Sequence, residues 1–313
     1  MRKPMRKAAM SSIFRIAKRD ARVVFIGSDL GAGTLEDMRR EMPERWFMEG
    51  VSEQSIIGMA AGLAMEGYLP YVNTIATFLT RRCYEQIAID LALHKLPVRL
   101  IATGGGGVYA PLGPTHMAVE DLGIMRSLPN MTVVAPADAP EMERVLDASL
   151  DVAGPMYIRV AKGGEPVVSL AEGFEMGKSA MLRKGRDVLF ACTGVMAAHA
   201  LRAAEMLAGD GIDAGVLHLH TLKPLDESGI IAAARGARLV VSVEEHTIIG
   251  GLGSAVAEVL AESDVRARLV RMGLPDRFSR DYGNQENVLR VAGLLPDNLR
   301  DRVREQLRLP MAV

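Results

Sequence analysis

Cysteine is scarce in this 313-residue chain. Cys83 and Cys192 offer neither a disulfide framework nor a metal-ligand spacing, which argues against a cystine-stapled secreted scaffold and makes a reducing cytoplasm the default. No apolar run approaches the roughly 18 residues needed to span a bilayer. Charge of one sign is missing as well: a formal net charge of -1 gives no overall electrostatic case for nucleic acid or an anionic membrane. There is no internal repeat and no low-complexity tract. What remains, 49% hydrophobic and 24% charged residues, is enough to bury one large core or two smaller ones.

One local imbalance stands out. The first 22 residues carry Arg2, Lys3, Arg6, Lys7, Arg15, Lys18, Arg19 and Arg22 against the single acid Asp20. A transit peptide has this look, but so does the basic face of an opening helix with Ile13, Phe14 and Ile16 inside, which is the reading preferred.

Short β-branched runs alternate with longer helical patterns. Val23–Ile26, Tyr71–Ile75, Val98–Thr103, Thr132–Ala135 and Tyr157–Val160 read as strands, and Ser55–Glu66, Tyr84–His94 and Ala139–Leu150 as helices. Strands without polar alternation are buried on both faces, so the pattern predicts a mostly parallel sheet covered by helices on each side. The glycines and proline of Lys162-Gly-Gly-Glu-Pro166 break it. A second α/β series follows, with strands at Asp187–Cys192, Ala214–Leu219 and Leu239–Val243 and helices at Ala197–Leu207 and Gly253–Ala261. The expectation is two consecutive α/β domains, 1–174 and 175–313.

Gly31-Ala-Gly33 after the first strand, with Glu53 20 residues further on, invites a dinucleotide-binding reading. That fingerprint places its acid at the end of the second strand. Here Glu53 lies in Gly50-Val-Ser-Glu-Gln54, directly before a small-residue helix, where a carboxylate is ordinarily a solvated group favoured by the helix dipole.

Three segments in order change that reading: Glu53, then Ala76-Thr-Phe-Leu-Thr-Arg-Arg-Cys-Tyr84, then Gly113-Pro-Thr-His116. With Gly154-Pro-Met-Tyr-Ile-Arg159, Val243-Glu-Glu-His246 and Gly250-Gly-Leu-Gly-Ser254 they make the chain resemble the transketolase family over nearly its whole length. The resemblance implies a pyrimidine-binding domain followed by a transketolase C-terminal domain, with thiamine diphosphate as coenzyme. It implies that Glu53 bonds N1′ of the aminopyrimidine, favouring the tautomer whose N4′ removes the thiazolium C2 proton. Burial among Phe47, Ile56 and Phe78 is expected to keep that carboxyl partly protonated. Phe78, Arg81 and Tyr84 match positions around the ring, and Asp29 matches an acidic position near the coenzyme. His116 matches a histidine facing the reacting carbons, suited to proton transfer near neutral pH.

Departures from the family bear on substrate. Arg6 and Lys162 fill the two cationic places of a phosphate clamp, but Gly104 stands in place of its histidine and Gly33 in place of its serine. Leu112 replaces an aspartate that reads a substrate hydroxyl. With the run Gly104–Gly107, this suggests a remodelled or larger acceptor pocket. The Mg²⁺-holding Gly-Asp-Gly segment and its following asparagine are not found together: after Gly209-Asp-Gly211 the next asparagine is Asn284. The resemblance therefore implies a separate diphosphate-binding partner subunit carrying the Mg²⁺ ligands, two copies of each chain, and transfer of a two-carbon ketol unit from a ketose to an aldehyde. The β subunit of a 2-oxo-acid dehydrogenase, a deoxyxylulose-phosphate-synthase-like enzyme and a non-catalytic scaffold remain as alternatives.

Overall fold

β-branched runs become buried strands and small-residue stretches become helices, in a computed structural model that describes residues 3–28, 35–161, 163–280 and 282–307. The strands are β1 (Val23–Ser28), β2 (Trp46–Glu49), β3 (Leu69–Ile75), β4 (Arg99–Thr103), β5 (Thr132–Val134), β6 (Met156–Val160), β7 (Ala180–Arg183), β8 (Val188–Cys192), β9 (Ala214–His218), β10 (Thr221–Lys223), β11 (Leu239–Thr247) and β12 (Arg268–Leu274). The helices are α1 (Met5–Ala17), α2 (Glu36–Glu41), α3 (Glu53–Met65), α4 (Tyr84–Gln86), α5 (Asp121–Arg126), α6 (Ala139–Ala148), α7 (Met196–Gly209), α8 (Glu227–Ala234), α9 (Leu252–Ala261), α10 (Gln285–Val291) and α11 (Pro296–Gln306).

Two sheets result. The first runs in the order β10-β5-β6-β4-β3-β1-β2, parallel except for the antiparallel edge strand β10. The second runs β12-β11-β8-β9-β7, parallel except for the edge strand β7. Every residue of β1, β4, β6, β8 and β9 is buried, as expected of strands covered on both faces. The mostly parallel, two-sheet α/β reading is met. β10 is an addition to it: Thr221–Lys223 follows β9 in sequence yet pairs with β5 of the first sheet.

The basic opening segment is a structural helix. Ile13 and Ile16 are fully buried against Met142, Val145 and Leu146 of α6, while Phe14 is only half-buried under the Lys18 ammonium. Three of its cations face α6: Lys3 bonds Glu143 at 2.6 Å, and Arg15 and Arg19 both reach Asp147.

The expected helix Tyr84–His94 forms differently. Phe78–Arg82 and Ile87–Leu93 are π-helical, flanking the short α4. A π turn holds one residue more than an α turn, and such turns are frequent at functional sites.

The sheets are joined by buried polar groups. Arg159 of β6 donates to Asp121 Oδ1, Ala118 O and Glu245 O, and Tyr157 donates to Asp121 Oδ2 at 2.7 Å. His246 accepts from Gly123 N at Nε2, which leaves Nδ1 to donate to Thr247 O.

Candidate active site

In a parallel α/β sheet, ligands bind beyond the carboxyl ends of the strands. Here β2 leads to Glu53, β3 to Phe78, Arg81 and Arg82, and β4 to the loop that ends at His116. Ser28 Oγ donates to Gly50 O at 3.0 Å, tying the end of β1 to the segment that delivers Glu53. Glu53 is the first residue of α3 and is only 3% exposed.

Four side chains form a continuous group. Arg82 Nη1 donates to Glu53 Oε2 at 2.7 Å. The same guanidinium lies over the Phe78 ring, 4.3 Å from its centroid. The His116 ring meets Phe78 edge-on, centroids 5.1 Å apart at 65°. His116 Nδ1 is 2.9 Å from Thr115 Oγ1. Among the described residues, Glu53 Oε1 has no hydrogen-bond partner. Glu53 is buried, as is Ile56, and its ion pair with Arg82 sets a cation beside the carboxylate as well.

Arg81, one residue earlier, points elsewhere, as neighbouring residues on any helical turn do. It bonds Glu120 through Nε and Nη2, and the carbonyls of Pro114 and Met117 through Nη1 and Nη2. Burial works to raise the Glu120 carboxyl, and the Arg81 guanidinium overrides it, holding the group below the usual carboxylate range. Arg81 thus braces the segment carrying His116. Tyr84 is half-buried, with its hydroxyl 3.0 Å from Ser127 Oγ at the end of α5. In the same turn, burial pushes the Cys83 thiol up to about 12, which removes it as a nucleophile near neutral pH.

Arg6 lies in the first turn of α1. A Cβ built on Gly163 would fall 3.0 Å from Pro4 Cα, so the start of α1 abuts the segment after β6. Asp29, Gly33 and Lys162 lie outside the described residues. Leu112 is 53% exposed in a 3₁₀ turn, Ala110–Leu112.

The glycine run does not enlarge the pocket. A Cβ on Gly104, at φ +82°, would enter the Tyr109 ring edge, 3.0 Å from Cζ and closer still to Cε2. One on Gly105 would meet Arg159 Cδ at 2.8 Å, and one on Gly106 the Glu245 carboxylate, 2.7 Å from Oε1. The glycines are needed because large side chains already fill that space. Arg82, Glu120 and Tyr109 were all missed in the sequence. The adjacent arginines and the run of glycines were the visible signals.

Gly209-Asp-Gly211 is a helix-end turn: Arg300 Nε and Nη2 bond Asp210 at 2.6 Å each, and Arg304 Nη1 lies 2.8 Å away. Among the described residues no group of three or more His, Cys, Asp or Glu side chains is placed to hold a metal ion. Nor is any described helix long and apolar enough to cross a membrane.

Comparison with known proteins agrees with this geometry. The profile of the transketolase pyrimidine-binding domain matches residues 2–165, and that of the transketolase C-terminal domain residues 177–299. An uncharacterised transketolase family protein of Sinorhizobium fredii is 44% identical, covering 84% of this chain and 77% of its own length. A 6-deoxy-6-sulfo-D-fructose transketolase subunit of a Clostridium species is 38% identical, covering 92% and 93%. A solved split-gene transketolase, described as an inactive β4 tetramer, superposes with a TM-score of 0.90 at 36% identity, covering 98% and 99%. Of the 1-deoxy-D-xylulose-5-phosphate synthases it also matches, the chain spans about half the length, 46% for that of Syntrophotalea carbinolica. The chain belongs to the transketolase family. Within it, the chain is a split-transketolase-like subunit.

Proposed function

We propose that this chain is the pyrimidine-binding subunit of a thiamine-diphosphate-dependent transketolase that moves a two-carbon ketol unit from a ketose to an aldehyde. The observation that carries the reading is the group Glu53, Phe78 and His116 at the carboxyl edge of the first sheet, in a chain that the pyrimidine-binding and C-terminal family domains match.

The residues present fit the coenzyme's aminopyrimidine. Glu53 offers a buried carboxylate with Oε1 uncommitted among the described residues, and Phe78 a half-buried aromatic face. Thiamine diphosphate, when bound, supplies the nucleophilic carbon that carries the two-carbon unit. Glu53 holds a proton at N1′ through its free oxygen. Phe78 orients the ring, and Tyr84 and Asp29 complete its surroundings. His116, edge-on to Phe78, donates to or takes a proton from the substrate oxygen at the reacting carbon. Arg81 keeps that histidine in place by pinning Pro114, Met117 and Glu120. Arg6 and Lys162 serve the distal, anionic end of a substrate.

Mg²⁺ and the diphosphate belong to a separate diphosphate-binding subunit, in an assembly of two copies of each chain. The division of labour falls at residues 174 and 175, with the coenzyme-facing residues all before it. Two buried free cysteines suit a reducing cytoplasm.

The test is reconstitution with the diphosphate-binding subunit, thiamine diphosphate and Mg²⁺, followed by assay of ketol transfer to an aldehyde. Activity that falls by about 100-fold in Glu53→Gln supports the mechanism; an unchanged rate refutes it. Release of CO₂ from pyruvate without ketol transfer places the chain with the decarboxylating synthases. Turnover by the isolated chain ends the split-subunit reading.

A further inference from the structure

The geometry points to Tyr109 as the residue that reads the hydroxyl groups of the aldehyde acceptor, an assignment that rests on the ketol-transfer reading above. Strand order defines where a substrate can run. From the coenzyme-facing end, the carboxyl edge reads β2, β1, β3, β4, β6. Glu53 follows β2 and Phe78 follows β3, while β6 ends beside the start of α1 and Arg6. Tyr109 is in the loop after β4, between these two ends. An acceptor whose reacting carbon meets His116 and whose tail extends toward Arg6 passes this loop.

The ring stands where position 104 would otherwise project a side chain. Gly104 lacks a Cβ, and the Tyr109 ring edge fills the volume one would need. The family's histidine at this place is thus exchanged for an uncharged phenol arriving from five residues downstream.

The loop is held rigidly. Gly104 N and Gly105 N donate to Val160 O at 2.9 and 3.2 Å, and Gly106 N to Ala118 O at 2.7 Å. Gly107 N donates to Glu245 Oε1 at 2.9 Å, and Leu112 N to Tyr109 O at 2.8 Å. The backbone on both sides of Tyr109 is therefore bonded, but its hydroxyl has no partner among the described residues and the side chain is only half-buried. Packing over Gly104 needs the ring alone, which phenylalanine would supply equally well. The hydroxyl is the part the fold does not use. A phenol both donates and accepts, which suits a neutral sugar hydroxyl, and being uncharged it gives no attraction to a phosphate.

The experiment uses the reconstituted complex with one ketose donor. Glycolaldehyde, glyceraldehyde and erythrose are each compared as acceptors with the matching unsubstituted aldehyde. Tyr109→Phe is expected to raise KM for the hydroxylated acceptors by about 10-fold, the value of one hydrogen bond. It should leave KM for the unsubstituted ones, kcat and the coenzyme Kd within about 2-fold. A hydroxylated-to-unsubstituted KM ratio that does not move makes Tyr109 a packing residue and overturns the assignment, as does weakened coenzyme binding. A wild-type complex that transfers no ketol unit instead overturns the proposed function, and this assignment falls with it.

Thermal unfolding tests the placement of the ring without turnover. Gly104→Ala destabilises the chain through both its positive φ and the clash, and in a Tyr109→Ala background the clash portion is removed. Additive losses would show that the ring does not stand over Gly104.

Discussion

The sharpest stability test is the buried pair Glu141–His218, which joins α6 of the first domain to the end of β9 in the second. His218 is fully buried and Glu141 2% exposed, with Nε2 to Oε2 at 2.8 Å. Ala137 N donates to the same Glu141 oxygen at 2.6 Å. His218→Leu leaves the carboxylate buried with one backbone donor and no cation. Removing one partner of a buried pair costs about 3–5 kcal/mol. With an unfolding entropy of about 2.1 cal/mol/K per residue over 313 residues, or about 0.66 kcal/mol/K, Tm should fall by about 5–8 °C. The double variant Glu141→Leu/His218→Leu buries no charge and should recover most of that, retaining about 1–3 kcal/mol for the Ala137 N–H left unbonded. Thermal unfolding of wild type, both single variants and the double variant gives the coupling. Single losses under about 1 kcal/mol that simply add would refute the reading of this pair as a linked charge pair.

The same pair sets a pH dependence. Burial alone would lower His218 and raise Glu141, but their mutual attraction wins: His218 is raised and Glu141 lowered. The His218 contribution is therefore complete below about 6.5 and lost as pH rises through the raised value. The Glu141 contribution is present above about 4.3 and lost as pH falls. The Tm difference between wild type and the double variant should shrink steadily from pH 6.5 to 10, and a difference that grows contradicts the pairing. Gly106→Ala places a methyl against the Glu245 carboxylate at φ +69° and should cost about 2–4 kcal/mol in urea unfolding; a neutral result would mean that the loop shifts freely. Arg81→Lys keeps the charge but loses the fork that holds Glu120, Pro114 and Met117. We expect acceptor KM to rise by about 10-fold with coenzyme Kd unchanged, and no change in either would remove Arg81 from the bracing of His116.

How much of this was legible follows from where the signals reside. Leu100–Ala102 and Val188–Cys192 are runs of apolar residues, and central parallel strands leave that mark. Trp46–Glu49 and Arg268–Leu274 are edge strands with charged residues among apolar ones, so they carry neither a continuous run nor clean alternation. Thr221–Lys223 is three residues long and joins a sheet whose other strands ended about 60 residues earlier, for which no local pattern exists. Glu53 and His116 were singled out by the order of the segments that resemble the family, and the structure brings both to one edge of the first sheet. Arg82 was missed because it is the same residue type as its neighbour: the two project in different directions from one helical turn, Arg81 to the loop and Arg82 to the carboxylate, and the sequence does not say which goes where. Gly104–Gly107 suggested a remodelled or larger pocket and could not say which, because a glycine reports a missing side chain and is silent about what moved in.

The neighbours of these glycines point to what the second domain contributes. Glu245, on β11, takes Gly107 N and Gln285 Nε2 at 2.9 Å each, and its backbone carbonyl receives Arg159. Arg159 also holds Ala118 O, which accepts Gly106 N as well. One end of the loop that carries Tyr109 and His116 is therefore fastened directly to a residue of the second sheet, and the other reaches the same residue through Arg159. An alternative in which the C-terminal domain serves only for assembly would leave this loop anchored by β4 and β6 alone. The buried Glu245 carboxylate, with burial pushing its pKa upward and Arg159 acting against that, is a costly group to retain for packing. Its value lies in fixing four consecutive glycines, which would otherwise sample many conformations, into the one that aims a tyrosine and a histidine along the same edge.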